Sequence, residues 1–226
     1  MNLSKRLLAI ASMVPPGIPL ADIGADHGYL ERYLLENKIV PFCYACENKK
    51  GPFERLKSNL EKYIEQGLVD AKLEDGLNHL SSKYKTIVIA GMGGDLIYKI
   101  INNNKECFDY VDYFILAPHG NEYLLRKFLV ENGYYILDEK VVFEGHFYEI
   151  ILFKRGKKSY SDFQLKYGPI NLEKKEDEFI NKYQKLIFSN QEILINPSLS
   201  LSRREEIKSQ ISNFRQMLES LNKNDV

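Results

Sequence analysis

Segments of two hydrophobic patterns alternate along the first part of the chain, and this alternation restricts the possible folds more than any other feature. Strands are predicted over residues 18–23, 40–46, 69–73, 86–90 and 113–116, and helices over 4–14, 29–36, 50–65, 95–101 and 122–131. Strands joined through helices run parallel, because the crossover returns the chain to the same end of the sheet. The pattern therefore predicts an α/β fold with a doubly wound sheet.

The alternation ends in two consecutive β runs, over 134–142 and 147–153, with only four residues between them. This spacing predicts a β-hairpin. An antiparallel hairpin that closes a Rossmann-like sheet is typical of class I methyltransferases and not of nicotinamide dehydrogenases. The predicted catalytic domain covers residues 1–156, since a charged, glycine-containing segment without periodicity follows the hairpin.

Residues 157–226 are predicted to form a separate helical domain. Residues 171–188 have helical periodicity, and a second helix is predicted to begin at Ser202 after the turn Asn196-Pro197-Ser198. The apolar residues of this second helix are spaced by four and three, at Ile207, Ile211, Phe214, Leu218 and Leu221. Such a narrow apolar stripe predicts an antiparallel helical hairpin of coiled-coil type.

Composition excludes little. The 31 basic and 31 acidic residues balance, so any surface that binds nucleic acid must be a local one. No apolar run approaches the roughly 20 residues that span a bilayer, and residues 1–16 lack a signal-peptide pattern. We therefore expect a cytoplasmic protein with no membrane partner.

Cys43 and Cys46 form a C-x-x-C pair, but a strand places them on opposite faces, so we expect two buried cysteines and no metal site.

The segment at the end of the first strand reads Asp22-Ile-Gly-Ala-Asp-His-Gly28 and includes Gly24. Dinucleotide-binding proteins have G-x-G-x-x-G here and bind a pyrophosphate. This chain has a wider glycine spacing and two acids, Asp22 and Asp26, which would repel a pyrophosphate and attract a cation. The loop therefore favours S-adenosylmethionine (SAM), although a glycine-rich turn without a ligand would have a similar sequence.

Acids also follow the next two strands. Glu47 ends the second strand, where a carboxylate can accept hydrogen bonds from both hydroxyls of a ribose. Asp75-Gly76 follows the third strand and is suited to receive an adenine amino group, although a simple turn explains it equally well. Ligands of open α/β sheets bind where the carboxyl ends of the strands meet. Three acids at successive strand ends therefore predict a nucleoside site.

The fourth strand ends in candidate cofactor-binding residues, of which Met92 is also a candidate for substrate binding, and candidate substrate-binding residues follow the fifth strand. Gly91, Met92 and Gly93 would let the backbone lie against a flat group, and the Asn/Asp-Pro-Pro-Tyr/Phe motif of many base methyltransferases does not occur there. His119 and Asn121 follow the fifth strand at the same edge. Two further histidines, His79 and His146, are predicted to lie in surface loops and are given no role.

Several of these motifs resemble those of the bacterial tRNA (adenine22-N1)-methyltransferases, the TrmK family. The resemblance extends over both predicted domains and is carried by residues 4–7, 22–27, 91–94, 124–126, 148–151 and 167–169. It implies a SAM-dependent enzyme that methylates N1 of adenine 22 in tRNA and has a C-terminal coiled-coil domain. The family's fifth-strand loop reads Gln-Pro-Asn. Here it reads Ala117-Pro118-His119, so the family's side-chain roles do not transfer to 117 and 119.

The predicted reaction is direct attack of adenine N1 on the methyl group of SAM, with tRNA as the partner. Asp26 is the candidate for stabilising the cationic product, with His27 beside it. Tyr29, Met92 and His119 are candidates for packing against the extruded base, and Arg6 for a further RNA contact. Alternative functions are methylation of another RNA base, a small molecule or a protein, or RNA binding without catalysis. The sequence leaves the oligomeric state open, and a monomer is favoured.

Overall fold

A computed structural model describes residues 3–78 and 80–222. The strands are β1 (Leu20–Ile23), β2 (Cys43–Glu47), β3 (Val69–Leu73), β4 (Thr86–Gly93), β5 (Tyr113–His119), β6 (Tyr134–Glu144) and β7 (His146–Arg155). The helices are α1 (Lys5–Met13), α2 (Tyr29–Glu36), α3 (Lys50–Glu65), α4 (Gly94–Asn102), α5 (Glu122–Glu131), α6 (Asp162–Tyr167), α7 (Pro169–Lys174), α8 (Asp177–Leu194) and α9 (Leu201–Asn222).

The seven strands form one sheet in the order β3-β2-β1-β4-β5-β7-β6. The first five strands pair in parallel, and β7 pairs antiparallel with both β5 and β6. The predicted doubly wound sheet with a closing hairpin is confirmed. Because β1 to β5 are parallel, their carboxyl ends lie along one edge, which we call the carboxyl edge.

Apolar side chains cover both faces of the sheet in two clusters, as expected for parallel strands buried between helix layers. Cys43 belongs to one cluster and Cys46 to the other, so the two thiols face away from each other and both are free. Burial raises the pKa of Cys46 to about 12. The prediction of two buried cysteines on opposite faces of a strand is confirmed.

Most element bounds agree with the sequence prediction, but β4 and β5 continue three residues further than expected, to Gly93 and His119. A register shift between Ala90 and Met92 leaves Gly91 as the extra residue of a bulge, after which pairing with β5 resumes. Met92, Gly93 and His119 are therefore held in strands, where rigid pairing fixes their positions at the carboxyl edge.

The N-terminal unit continues beyond Gly156 and ends at Ile170. The sequence analysis missed α6, whose N-terminus has a capping box formed by Ser161 and Gln164. A buried ion network holds α6 and the start of α7 against the sheet. The fully buried guanidinium of Arg126 donates to Glu139, to Glu149 and to the carbonyl of Leu165. The Glu139 carboxylate also accepts the backbone N–H of Ile170 at 2.9 Å.

Residues 171–222 form a second, helical unit. The predicted single helix over 171–188 is wrong, because the chain is interrupted between α7 and α8 and Lys175 has a φ of +53°. The predicted cap at Ser202 is also wrong. The hydroxyl of Ser200 accepts the backbone N–H of Arg203 and so caps α9. Tyr183 of α8 and Phe214 of α9 pack with ring centroids 5.2 Å apart, which confirms that the two helices pair.

Within the described ranges, no helix has the combination of length and apolar character that crossing a membrane requires.

Candidate active site

The loop between β1 and α2 is shaped by residues with left-handed backbone conformations. Gly24, Asp26 and Gly28 have φ values of +81°, +39° and +71°. The N–H groups of Gly24 and Ala25 both donate to the carbonyl of Cys46 at the end of β2. These bonds fix the loop against the neighbouring strand, so the groups around Gly24 are positioned before any ligand arrives.

Close packing also leaves little room for a side chain at two of these glycines. A Cβ atom at Gly24 would lie 2.3 Å from the terminal methyl of Met92, and a Cβ at Gly28 would lie 2.7 Å from Leu60 of α3. Met92 therefore reaches across from the end of β4 and touches the turn after β1. This contact brings together two of the regions that the sequence predicted to form the site.

A cavity of about 280 Å³, which we call the α1 cavity, opens between the N-terminus of α1 and the β1–α2 loop. Six of the predicted site residues line it: Arg6, Asp22, Gly24, Asp26, His27 and Tyr29. The cavity thus contains every predicted catalytic residue.

Arg6 is positioned over this cavity by an anchor from the distant hairpin. The carboxylate of Glu144, at the end of β6, accepts the backbone N–H of Lys5 at 3.0 Å and that of Arg6 at 3.5 Å. Free N–H groups at a helix N-terminus attract a carboxylate, and these bonds hold the pKa of Glu144 below its usual value even though partial burial opposes the shift. Ser4 caps the same helix, as predicted, by accepting the N–H of Leu7.

Asp22, which lines the α1 cavity, is one of two neighbouring buried carboxyl groups. Asp22 is 6% exposed, and Glu31, in α2 behind it, is fully buried. Neither oxygen of Glu31 has a well-formed hydrogen bond within the described residues. Burial raises the pKa of Asp22 from 3.8 to about 7, although interactions with Glu31 and Arg6 oppose the shift. Burial and the adjacent Asp22 raise the pKa of Glu31 well above its usual value.

A second cavity of about 150 Å³ lies at the ends of β2 and β3, and we call it the β2–β3 cavity. Gly24 lines both cavities, so the two adjoin. The predicted residues Gly24, Glu47, Asp75, Gly76 and Met92 all line the second one. Asn48 donates to the Asp75 carboxylate at 3.2 Å, and Glu47 accepts the backbone N–H of Lys49 at 2.9 Å. Each carboxylate keeps an oxygen for a further donor.

The candidate catalytic residues lie together on the outer wall of the α1 cavity. An Asp26 carboxylate oxygen lies 3.5 Å from Nε2 of His27, and the side chains are 62% and 34% exposed. The imidazole of His27 stacks on the ring of Tyr29, with centroids 5.2 Å apart and planes 10° apart. A negative charge and a flat stacked pair are therefore presented to the same space.

Four predicted residues line neither cavity. Gly91 lies against Arg6, since a Cβ there would be 3.1 Å from its guanidinium. Gly93 pairs with His119 between β4 and β5, and His119 faces the solvent. Asn121 donates to Asp95 at 2.7 Å and precedes α5, so its amide group already has a structural partner.

Sequence reasoning missed Glu31, Glu144 and the pair His146 and Tyr148. Glu31 occupies one position of an amphipathic helix, and no local pattern marks an acid as buried. His146 was assigned to a loop, but the hairpin strands extend until only Gly145 separates them, so His146 begins β7. His79 lies outside the described residues. Within the described ranges, no group of three His, Cys, Asp or Glu side chains could hold a metal ion.

Comparisons with known proteins give similarities over most of the chain. Residues 3–151 match the family described as a methyltransferase domain. The chain is 31% identical over 201 residues to the tRNA (adenine(22)-N(1))-methyltransferase of Bacillus subtilis (strain 168), covering 85% of this chain and 84% of that protein.

Two solved structures cover nearly the whole chain. A Streptococcus pneumoniae protein crystallised with S-adenosyl-L-methionine superposes with a TM-score of 0.87 at 29% identity, over 96% of this chain and 100% of that one. The crystal structure of the B. subtilis m1A22 tRNA methyltransferase superposes with a TM-score of 0.81 at 27% identity, over 96% of this chain and 98% of that one.

The buried acid pair predicts an unusual pH dependence of stability. The folded protein keeps protons that the unfolded chain releases above about pH 4, so the free energy of unfolding should fall as the pH rises towards 7 and beyond. Glu31→Gln removes one of the two charges. We expect it to flatten this fall and to raise stability at pH 8 by about 1–3 kcal/mol.

Urea denaturation between pH 5 and pH 8 measures the effect. Glu36→Gln, on the exposed side of the same helix, is the matched control and should follow the wild-type curve across this range. Parallel curves for the wild type and Glu31→Gln would show that the buried pair does not carry the pH dependence.

Proposed function

The chain belongs to the bacterial tRNA (adenine(22)-N(1))-methyltransferase family, and from this membership and its site we propose that it transfers the methyl group of SAM to N1 of an adenine in tRNA. By the same relationship, the target is adenine 22. The observation that carries the proposal is the pair of adjoining cavities at the carboxyl edge, which share Gly24 and bring the acids after β1, β2 and β3 together.

The residues present fit SAM. SAM has a cationic sulfonium and an ammonium group, and the carboxyl group of Asp22, with Glu31 buried next to it, lines the α1 cavity. Gly24 lines both cavities, so a bound SAM would pass its backbone where the two cavities meet. In the β2–β3 cavity, Glu47 would accept hydrogen bonds from ribose hydroxyls and Asp75 one from an adenine amino group.

When bound, SAM supplies a methyl group that the in-plane lone pair of adenine N1 attacks without prior deprotonation. The protein therefore has to position the base, exclude water and stabilise the positive charge that develops on the ring. The Asp26 carboxylate is the proposed electrostatic partner of that charge. His27 contacts it and stacks on Tyr29, so the three side chains form the proposed wall against which the target base lies.

The helical unit is proposed to contact tRNA. It has eight basic residues between Lys174 and Arg215, interspersed with acids, so this is not a uniformly basic surface. Some of these cations already have partners: the guanidinium of Arg204 donates to the carbonyls of Leu194 and Asn196, and Lys208 pairs with Glu205. We further propose that the protein acts as a monomer in the cytoplasm, where its tRNA substrate is found.

The proposed function predicts formation of 1-methyladenosine. Unmodified tRNA incubated with the protein and methyl-labelled SAM should incorporate label into this nucleoside, as detected by nucleoside analysis of the digested RNA. Replacing adenosine 22 by guanosine in the transcript should abolish incorporation. Label in a different nucleoside, in protein or in a small molecule would identify an alternative methyltransferase function, and no label despite tRNA binding would indicate an RNA-binding protein without catalysis.

The assignment of the β2–β3 cavity to the cofactor predicts the effect of removing its carboxylates. Asp75→Ala and Glu47→Ala should each weaken SAM binding by about 1–3 kcal/mol in calorimetry, because a buried ligand group loses its hydrogen-bond acceptor. Asp70→Ala, which removes an acid from the other end of β3, is the control and should bind normally. Wild-type affinity in both cavity variants would contradict the assignment.

The role of Asp26 predicts a separation of rate from affinity. Asn tolerates the left-handed backbone at this position better than Ala does, so Asp26→Asn removes the charge with little strain. We expect the rate of methyl transfer to fall by about 100-fold, while SAM affinity changes by less than about threefold, because the charge that Asp26 stabilises develops in the transition state. An equal loss of SAM affinity would make Asp26 a cofactor-binding residue.

A further inference from the structure

Three aromatic rings form a compact cluster at the start of β7 and the end of β5. The rings of His146 and Tyr148 lie 4.0 Å apart, and His119 lies 5.8 Å from His146 and 5.7 Å from Tyr148, measured between centroids. His119 and His146 are exposed, and Tyr148 is half-buried. We call these three residues the rim cluster.

Arg6 connects the rim cluster to the α1 cavity. Its guanidinium carbon lies 5.1 Å from the centroid of the Tyr148 ring, and the same side chain lines the cavity and approaches Gly91. Arg6 therefore contacts both the α1 cavity and the rim cluster. In sheet order, β5 and β7 follow β4, so the cluster extends the carboxyl edge away from the β2–β3 cavity.

Internal packing alone does not account for the two imidazoles. Within the described part of the chain, His119 and His146 make ring contacts but no hydrogen bond or ion pair, and exposed faces remain on both. Aromatic rings together with an arginine plane are the surfaces on which unpaired nucleotide bases stack, whatever their sequence. The chemistry of the cluster therefore fits a nucleobase.

We propose that the rim cluster is a subsite that stacks a base adjacent to the target adenosine in the RNA. This inference rests on the proposed function. A target adenine must leave its stack to expose N1, and its neighbours then lose a stacking partner. Asp26, His27 and Tyr29 receive the target base in the α1 cavity, and the rim cluster, one arginine away, replaces the lost stacking for its neighbour. His146 and Tyr148 act here as positioning residues.

His146 gives the sharper test, because Tyr148 also supports Arg6. His146→Leu should weaken tRNA binding by about 5- to 30-fold, the equivalent of one stacked base. His146→Phe keeps a ring and should stay within about threefold of wild type. Neither variant should change SAM affinity, and the loss in His146→Leu should be in KM for tRNA and not in kcat. Tyr63→Leu, which removes a ring where α2 and α3 end, away from the carboxyl edge, is the matched control.

Abasic substitution in the RNA identifies the base that stacks. A tRNA with an abasic nucleotide on one side of the target adenosine should bind the wild type as weakly as intact tRNA binds His146→Leu, and combining the two changes should add little. Fully additive losses, or equal losses in His146→Leu and His146→Phe, would overturn the stacking role. A wild-type protein that does not methylate tRNA would contradict the proposed function itself. Failure of the stacking role and failure of the proposed function are therefore distinguishable.

Discussion

Parallel pairing of β1 with both β2 and β4 is the interaction on which the candidate site depends. Asp22 is in register with Ala45 of β2 and Val88 of β4, so β1 and β2 end at nearly the same level and β4 continues beyond them to Gly93. Groups that are far apart in sequence therefore meet at the carboxyl edge without long loops. After the bulge at Gly91, β4 resumes pairing with β5 at Met92. This places Met92 against Gly24, where the two cavities adjoin.

The electrostatics of this edge oppose stability and favour binding of a cation. Burying Asp22 next to Glu31 disfavours their ionised forms, as the raised pKa values of both carboxyls indicate. Arg6 offsets part of this unfavourable energy, and Arg6 is itself held in place because Glu144 anchors the start of α1. A site whose polar groups are held in position before the ligand arrives needs little reorganisation on binding. The cost in stability of the free protein is thus linked to the proposed recognition of a positively charged cofactor.

The sequence predicted the sheet, its closing hairpin and six of the residues that line the α1 cavity, because strand ends, glycine-rich turns and short motifs are local patterns. It did not predict α6, the break at Lys175 or the cap at Ser200. Short helices and caps depend on a few side chains, and neighbouring residues of the same type, such as Ser202, are equally suitable for the same role. It also could not predict contacts between distant segments. Glu144 and His146 flank a turn glycine, and their proximity to Arg6 and His119 follows only from the folded sheet.

The buried Arg126 network joins residues from three separate motifs of the resemblance found in the sequence. Arg126, Glu149 and Gly168 belong to different motifs, yet a Cβ at Gly168 would lie 2.9 Å from the Arg126 guanidinium and 2.7 Å from the Glu139 carboxylate. The close approach of this glycine lets residues 165–170 pass over the buried ions and satisfy them with backbone groups.

The neighbouring residues Tyr148 and Glu149 connect this network to the rim cluster. Successive side chains of a strand point to opposite faces, and here Glu149 is buried against Arg126 while Tyr148 supports Arg6 at the carboxyl edge. The buried ion network fixes the position of β7, and β7 in turn fixes the ring on which Arg6 rests. The geometry of the candidate substrate site thus depends on charges buried on the other side of the same strand.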